Sequence, residues 1–408
     1  MKRKEFNGSL EIVENIGIYI LLLFAVAAGW AFGRTSVSSR KKHSVETNEL
    51  FADYFVGLNY LLNDEPDEAI DTFIRALEIN SETVETHLAL GALLRRRGKV
   101  DKAIKIHQNL LARQELDKSF FDSTRLQLAI DYISAGLLDR AERLLNEILG
   151  DSTAIKWDAL RYLITIYQTE KEWVKAISCS SELLKNPAYK KDYDIRAAAA
   201  HYCCELAEQL LCEEKGTGAK DIIKKAFAFD KKNVRATLLL ARTEQSLGNY
   251  KAAIKGLVRI RTNNPEFISQ VLGPLAECYE QIHNLVAYEK LLMNTLPEEP
   301  DVSVVLALSD LVKRRSGDEA AISFLNDYLV KKPSLTGLIE LLKLQIPKTD
   351  AAMSTNLNLL QQMINRLVNK KATYQCHHCG YEARSLYWLC PSCQKWDKIK
   401  PILEAGGS

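Results

Sequence analysis

The chain has 408 residues, 54 Lys and Arg against 52 Asp and Glu, 47% hydrophobic residues, 19 Gly and 10 Pro. Because positive and negative charges nearly balance, the composition argues against binding of nucleic acid through bulk charge. The high apolar content excludes a disordered chain and favours a helical globular protein long enough for more than one domain.

The N-terminal part of the chain predicts a membrane anchor. After a short tail of mixed charge at residues 1–15, residues 16–33 form an uncharged run, IGIYILLLFAVAAGWAFG. Its length lies within the range of a spanning helix, about 17–25 residues, and Trp30 suits a headgroup interface. The alternative is a cleaved signal peptide, but no small-x-small site precedes polar sequence cleanly. We therefore predict an uncleaved transmembrane helix.

Small residues recur along the predicted anchor. Ala25, Gly29 and Gly33 are four residues apart and share one face of a helix, where small side chains allow another helix to approach closely. The interpretation is a packing face for a partner helix, against a simple tether with no such contact. Residues 34–47, RTSVSSRKKHSVET, are polar and basic and predict a juxtamembrane linker.

Residues 48–370 carry an internal repeat. An alanine recurs where the second helix of each repeat is expected to cross the first. These alanines, here called marker alanines, are Ala69, Ala103, Ala141, Ala176, Ala219, Ala253, Ala287 and Ala321. Their spacings of 34, 38, 35, 43, 34, 34 and 34 match the period of the tetratricopeptide repeat (TPR). We predict eight repeats and a degenerate ninth from Leu335 to Lys370, stacked into an all-α superhelical solenoid with a concave face. The 43-residue spacing marks an insertion, which we place in a loose turn near Gly216.

Residues 371–402 predict a small metal-binding domain, followed by a tail at 403–408. The candidate ligands are Cys376, Cys379, Cys390 and Cys393, in two C-x-x-C pairs with ten residues between the pairs. Two facing C-x-x-C turns complete a tetrahedral sulfur site for one ion, and iron and zinc both suit four thiolates. His377 and His378 lie inside the first pair and are interpreted as exposed.

The remaining cysteines bear on the cellular compartment. Cys179, Cys203, Cys204, Cys212 and Cys278 lie in apolar helical patterns without paired spacing and are interpreted as buried free thiols. Unpaired cysteines and a thiolate site point to a reducing compartment. Since Lys and Arg are nearly balanced across the anchor, the cysteines decide the orientation, with the large C-terminal part on the cytoplasmic side.

The sequence contains no catalytic motif. There is no G-x-S-x-G elbow, phosphate-binding G-x-x-x-x-G-K-[ST] loop or H-E-x-x-H pair. Four histidines are scattered across separate repeats, namely His87, His107, His201 and His283, and the carboxylates follow solvated helix faces. The residues therefore predict a membrane-tethered scaffold, not an enzyme, whose concave surface binds a peptide or a folded protein.

The run CHHCGYEARSLYWLCPSCQKWDKIKPI resembles the rubredoxin-type C-terminal domain of the lipopolysaccharide assembly protein B (LapB) family. The order of anchor, helical repeats and metal domain fits that family over the whole chain. The resemblance implies a single-pass protein of the bacterial inner membrane that regulates lipopolysaccharide synthesis. It implies that the protein promotes degradation of the deacetylase LpxC by the membrane AAA+ protease FtsH, with other lipopolysaccharide assembly and regulatory membrane proteins as partners.

Two other functions stay open from the sequence. One is a general envelope-assembly scaffold or chaperone for lipopolysaccharide enzymes, and the other is a rubredoxin-type electron-transfer protein. Homo-oligomerisation also stays open, as do the identity of the metal and the repeat residues that contact partners.

Overall fold

The computed structural model describes residues 24–30, 56–57, 59–60, 72, 84–112, 116–151, 154–213, 215–295 and 301–402. Residues 24–30 are helical and exposed, and they include Ala25 and Gly29. Gly33, the rest of the 16–33 anchor, the 34–47 linker and both tails lie outside the described residues. Within the described part, no helix combines the length and the apolarity needed to cross a membrane. The anchor therefore stays a prediction.

The chain divides into two compact units, Met1–Leu144 and Leu145–Ser408. In the first unit, α1 (Val84–Arg96) and α2 (Val100–Leu111) form a helical hairpin, followed by α3 (Lys118–Ser134) and the start of α4 (Leu138–Asp151). Most of the predicted first repeat, including Ala69, lies outside the described residues.

In its described residues, the second unit contains six helical hairpins and a small sheet. Its helices after α4 are α5 (Lys156–Thr169), α6 (Trp173–Leu183), α7 (Tyr193–Cys212), α8 (Gly216–Phe229), α9 (Val234–Ser246), α10 (Tyr250–Asn263), α11 (Ile268–Gln281), α12 (Leu285–Met293), α13 (Val302–Ser316), α14 (Asp318–Lys331), α15 (Leu335–Gln345) and α16 (Ala351–Val368). Consecutive helices from α5 onward pack as pairs, as expected for a TPR-like solenoid.

A buried alanine marks the second helix of most hairpins. Six alanines are the fourth residues of their helices and at most 1% exposed: Ala103, Ala141, Ala176, Ala219, Ala253 and Ala321. A turn residue with positive φ stands five positions earlier in several repeats, for example Gly98 and Gly248. Glycine adopts this conformation without a Cβ clash. The turn between the two helices and the alanine at their crossing therefore keep a constant spacing of five residues.

The register predicted for Ala287 is wrong by one residue. The fourth residue of α12 is Tyr288, which is 2% exposed, whereas Ala287 is half-buried. His283, with φ of 50°, takes the turn position five residues before Tyr288. The side chain of Asn284 accepts a hydrogen bond from the Ala287 N–H and caps the helix. This cap starts α12 one residue later than a strict period of 34 requires.

The insertion predicted near Gly216 lies elsewhere. Gly216 is the first residue of α8, so this segment is helical and not a loose turn. The extra residues lengthen the preceding helix: α7 has 20 residues, whereas α9 has 13. Both helices end seven positions before their marker alanines, Ala219 and Ala253, so the extension is at the N-terminal end of α7. Seven residues add about 10 Å of helix.

The C-terminal residues form a three-stranded antiparallel sheet in the order β2-β1-β3, with β1 at Tyr374–Cys376, β2 at Glu382–Ala383 and β3 at Ile399–Pro401. Tyr374 pairs with Ala383 on one side and with Pro401 on the other. The sheet thus holds the start of the first C-x-x-C turn against the end of the domain, and its small core contains Cys376, Cys390 and Ile399.

The free thiols follow the prediction in part. None of the nine cysteines forms a disulfide, and Cys203, Cys204 and Cys278 are buried. Cys212 is exposed and Cys179 is half-buried, contrary to expectation. Cys212 is the last residue of α7, so its side chain lies at the exposed end of the helix.

Candidate metal centre

Two turns with the same backbone hydrogen bonding present the four cysteines. The N–H of Gly380 donates to the carbonyl of Cys376, and the N–H of Gln394 donates to the carbonyl of Cys390, both at 2.9 Å. Gly380 and Gln394 have φ of 76° and 54°. Glycine adopts a positive φ without a Cβ clash, while the second turn reaches the same conformation with glutamine.

The four sulfur atoms lie in one cluster. All Sγ atoms are within 4.8 Å of one another, and it is the one group of three or more potential ligands among the described residues. The Sγ–Sγ distances are 3.8 Å between Cys376 and Cys393 and 3.7 Å between Cys379 and Cys390. A tetrahedron with metal–sulfur bonds of about 2.3 Å has edges of about 3.8 Å. The arrangement therefore fits a single tetrathiolate ion.

The cluster is buried on one side and open on the other. Cys376 and Cys390 are at most 1% exposed, whereas Cys379 is exposed. A hydrogen bond from the backbone N–H of Tyr381 lowers the pKa of the Cys379 thiol to about 6. Burial raises the pKa of the Cys393 thiol. Since a bound metal favours the thiolate form of every ligand, it offsets the cost of burying thiolates close together. His377 and His378 are exposed, as predicted.

Residues 371–402, here called the metal domain, dock on the middle of the second unit. Trp396 is 6% exposed, and its Nε1–H donates to Oε1 of Gln168 in α5 at 2.8 Å. The same oxygen accepts a hydrogen bond from the hydroxyl of Tyr202 in α7 at 2.7 Å. One glutamine oxygen therefore joins the metal domain to two helices.

An aromatic stack continues the docking surface. The His201 ring lies 5.0 Å from Trp396 and 5.7 Å from Trp388, measured between centroids. Trp388 also stacks on Phe267 at 5.8 Å, just before α11. Together with Leu386, Trp388 packs against the apolar core of α9–α13. These contacts bury side chains that a domain of about thirty residues cannot cover by itself.

His201 is unusual within this stack. It is fully buried, and among the described residues neither of its ring nitrogens has a hydrogen-bond partner. Burial, reinforced by the positive charges of Arg235 and Lys400, lowers the pKa of His201 well below its ordinary value. The imidazole is therefore neutral at pH 7 and acts as an aromatic surface for Trp396.

The N-terminal extension of α7 supplies polar contacts to the metal domain. Lys398 Nζ lies 2.8 Å from a carboxylate oxygen of Asp194, and the Tyr193 hydroxyl donates to Asp397 at 2.8 Å. A hydrogen bond from Lys398 lowers the pKa of Asp194. These pairs are solvent-exposed, so each adds at most about 1 kcal/mol, and they fix orientation more than they add stability.

A further contact ties the sheet to α11. The Nε2 of Gln270 donates to the Tyr374 hydroxyl at 2.6 Å. Next to Trp396, a cleft of about 220 Å³ is lined by residues of α5, α6, α7 and the metal domain, including Ile164, Leu183 and Ile195. Docking thus creates a composite surface to which both the helices and the metal domain contribute.

Similarity to known proteins agrees with this architecture. Residues 374–401 match the model of the rubredoxin metal binding domain, and residues 86–119 match that of the tetratricopeptide repeat. The chain is 35% identical over 386 residues to lipopolysaccharide assembly protein B of Escherichia coli K12, covering 94% of this chain and 97% of that protein. It is 34% identical over 399 residues to lipopolysaccharide assembly protein B of Haemophilus influenzae, covering 94% and 98%.

A solved tetratricopeptide repeat protein from Parabacteroides merdae is also similar. It is 15% identical, covers 69% of this chain and all of its own length, and has a TM-score of 0.33.

Proposed function

The chain belongs to the lipopolysaccharide assembly protein B family, and from this membership we propose that it is a non-enzymatic adaptor of lipopolysaccharide assembly anchored in the inner membrane. In this proposal residues 16–33 span the membrane once, and the helical units and metal domain lie on the cytoplasmic side. The observation that carries the proposal is the identity of about one third along nearly the whole of both proteins.

The specific action that we propose is control of proteolysis. The adaptor binds the deacetylase LpxC and promotes its degradation by the protease FtsH. A helical array with a docked metal domain supports this, because it offers a long composite surface for a folded substrate. The anchor supports it by holding that surface next to a membrane protease.

The half-life of LpxC tests this proposal. After protein synthesis is blocked, the amount of LpxC is followed in three kinds of cell: cells with the chain, cells without it, and cells that have the chain but an inactive FtsH. We expect a longer LpxC half-life in cells without the chain and in cells with inactive FtsH. An unchanged half-life without the chain, together with crosslinked envelope enzymes as its main partners, contradicts proteolytic control and favours a general assembly scaffold.

We further propose that Cys376, Cys379, Cys390 and Cys393 bind one iron or zinc ion with a structural role. Replacing Cys390 and Cys393 by serine should release the ion and unfold the metal domain, because binding at such sites contributes on the order of 10 kcal/mol to folding. The matched control is Cys212→Ser, an exposed cysteine outside the cluster. Less than about half an ion per wild-type chain contradicts the proposal. A ferric-thiolate absorption band that bleaches and recovers reversibly favours electron transfer instead.

The proposed role of the anchor extends beyond tethering. If Ala25, Gly29 and Gly33 pack against a partner helix, Gly29→Leu should leave insertion intact but block that contact, so that LpxC accumulates. The comparison is a chain whose residues 16–33 are replaced by an unrelated membrane helix. Normal LpxC turnover in this exchange contradicts a packing role and leaves the cytoplasmic part as the recognition surface.

A further inference from the structure

The outer face of α16, the last helix before the metal domain, is apolar and exposed. The side chains on this face, which we call the α16 face, are 45–59% exposed and comprise Met353, Leu359, Leu360, Met363 and Leu367. The adjoining side of the helix packs on α15 through Ile364, Leu357 and Val368. The α16 face therefore continues this apolar side outward and is left uncovered by its own hairpin.

The α16 face also carries almost no charge. Arg366 is the one charged residue among the 18 residues of α16, whereas the 14 residues of α14 include four charged ones. The terminal helix of a repeat array ordinarily has a polar outer face, which keeps the array soluble. An apolar end of this kind is typical of a surface that another protein element covers.

The spacing on the α16 face is that of a helix-packing seam. Met353, Leu360 and Leu367 are each seven residues apart, and Met363 follows Leu360 by three, whereas Asn356 takes the corresponding position after Met353. Apolar residues that repeat with a and d spacing pack against another helix as knobs into holes. The partner indicated by this pattern is a helix with a matching seam.

The seam of α16 matches itself. Met353 and Leu367 are equally distant from Leu360, so two antiparallel copies of α16 place apolar side chains opposite apolar side chains. In the same arrangement Asp350, before one helix, lies near Lys370 and Lys371, after the other. Antiparallel pairing is therefore complementary in charge at both ends as well as apolar in the middle.

We propose that the α16 face binds the α16 face of a second copy of this chain, in an antiparallel pair around a two-fold axis near Leu360. Such an interface is isologous and closes on itself, so it yields a dimer and not a filament. An anionic lipid surface is a poorer occupant, because a membrane-surface helix carries its cations along its polar face, whereas Arg366 is the one cation within α16 and Lys370 and Lys371 lie together beyond its C-terminal end.

The test measures the mass of the full chain in detergent micelles by sedimentation equilibrium, with detergent contribution subtracted. We expect a dimer for the wild type. Leu360→Asp should raise the dissociation constant at least about tenfold, because two carboxylates then face each other in an apolar seam. The matched control is Val286→Asp in α12, where the wild-type side chain is 77% exposed, and this variant should remain dimeric.

A charge exchange tests the two-fold contact itself. The Leu360→Asp and Leu360→Lys chains should each self-associate more weakly than the wild type. When the two are combined they should form mixed dimers, since unlike charges then meet at the axis. Metal content equal to that of the wild type, and an unfolding midpoint equal to that of the wild type diluted until it is monomeric, establish that the variants are folded. Because Leu360 is exposed in the single chain, we expect both to be unaffected.

Four results overturn the proposal. One is a monomeric wild type at tens of micromolar, which would mean that another part of the same chain or no protein covers the face. The others are a Leu360→Asp variant that dimerises as tightly as wild type, equal dissociation by Val286→Asp, and failure of the Asp and Lys variants to pair.

Discussion

Replacing Gln168 by leucine should loosen the docking of the metal domain. Oε1 of Gln168 accepts hydrogen bonds from Trp396 and from Tyr202. Leucine has a similar size but offers no acceptor. Trp396 and Tyr202 are 6% and 2% exposed, so water does not readily replace the lost partner. Each buried donor left unpaired costs about 1–3 kcal/mol, which makes the expected loss of docking free energy about 2–6 kcal/mol.

Hydrogen–deuterium exchange measures this loss directly. A change of about 2 kcal/mol raises the undocked population about thirty-fold, so the indole N–H of Trp396 and backbone amides of α7 beneath the metal domain, which undocking opens to water, should exchange correspondingly faster. The metal content should stay at the wild-type level, because the two cysteine turns are closed by hydrogen bonds within the domain. Faster exchange with retained metal distinguishes undocking from unfolding of the domain.

Gln245→Leu is the matched control for this experiment. Gln245 is the penultimate residue of α9, as Gln168 is of α5, and its Nε2 donates to the carbonyl of Pro274 at 3.2 Å without touching the metal domain. We expect exchange of the Trp396 indole N–H and of the α7 amides to be unchanged in this variant. Equal exchange in the Gln168 and Gln245 variants would refute the conclusion that the shared glutamine oxygen holds the metal domain.

Two further predictions concern packing and pH. Ala253→Leu overfills a buried helix crossing and should lower the free energy of unfolding by about 1–3 kcal/mol. Leucine at the exposed Ala252 or the half-buried Ala287 should lower it by less. Equal denaturation midpoints for these variants would show that the repeat register is wrong. His201 stays neutral when folded but takes up a proton below about pH 6.5 when unfolded, so stability should fall as pH drops below 6.5, by up to about 1.4 kcal/mol per unit. The wild type should show this extra slope relative to His201→Phe in denaturant titrations from pH 7.5 to 5, and parallel curves would refute it.

The repeat architecture can be read from the sequence because its determinants are local. A small residue at each helix crossing recurs about every 34 positions, and the burial of Ala103 and Ala253 follows from it. The one-residue error at Ala287 arose because the start of a helix depends on its cap. The side chain of Asn284 decides it, and a spacing count does not include that hydrogen bond.

The sequence determinants of the metal centre are also local, whereas those of the docking of the metal domain are not. Each C-x-x-C turn is closed within five residues, so the spacing alone predicts the sulfur cluster. The hydrogen bond between Trp396 and Gln168 joins positions 228 residues apart, and no sequence period encodes it. One signal was present: Trp388 and Trp396 lie in a domain too small to bury two indoles, and such side chains require an outside surface.

The extension of α7 helps to orient the metal domain on the middle of the array. The seven extra residues of α7 relative to α9 carry Tyr193 and Asp194 toward Asp397 and Lys398. A repeat of ordinary length would end before reaching these partners. The lengthened spacing between Ala176 and Ala219 is therefore part of the docking site. Under the proposed metal binding, the ion keeps Trp396 in place, and so stabilises a surface that the helices alone do not form.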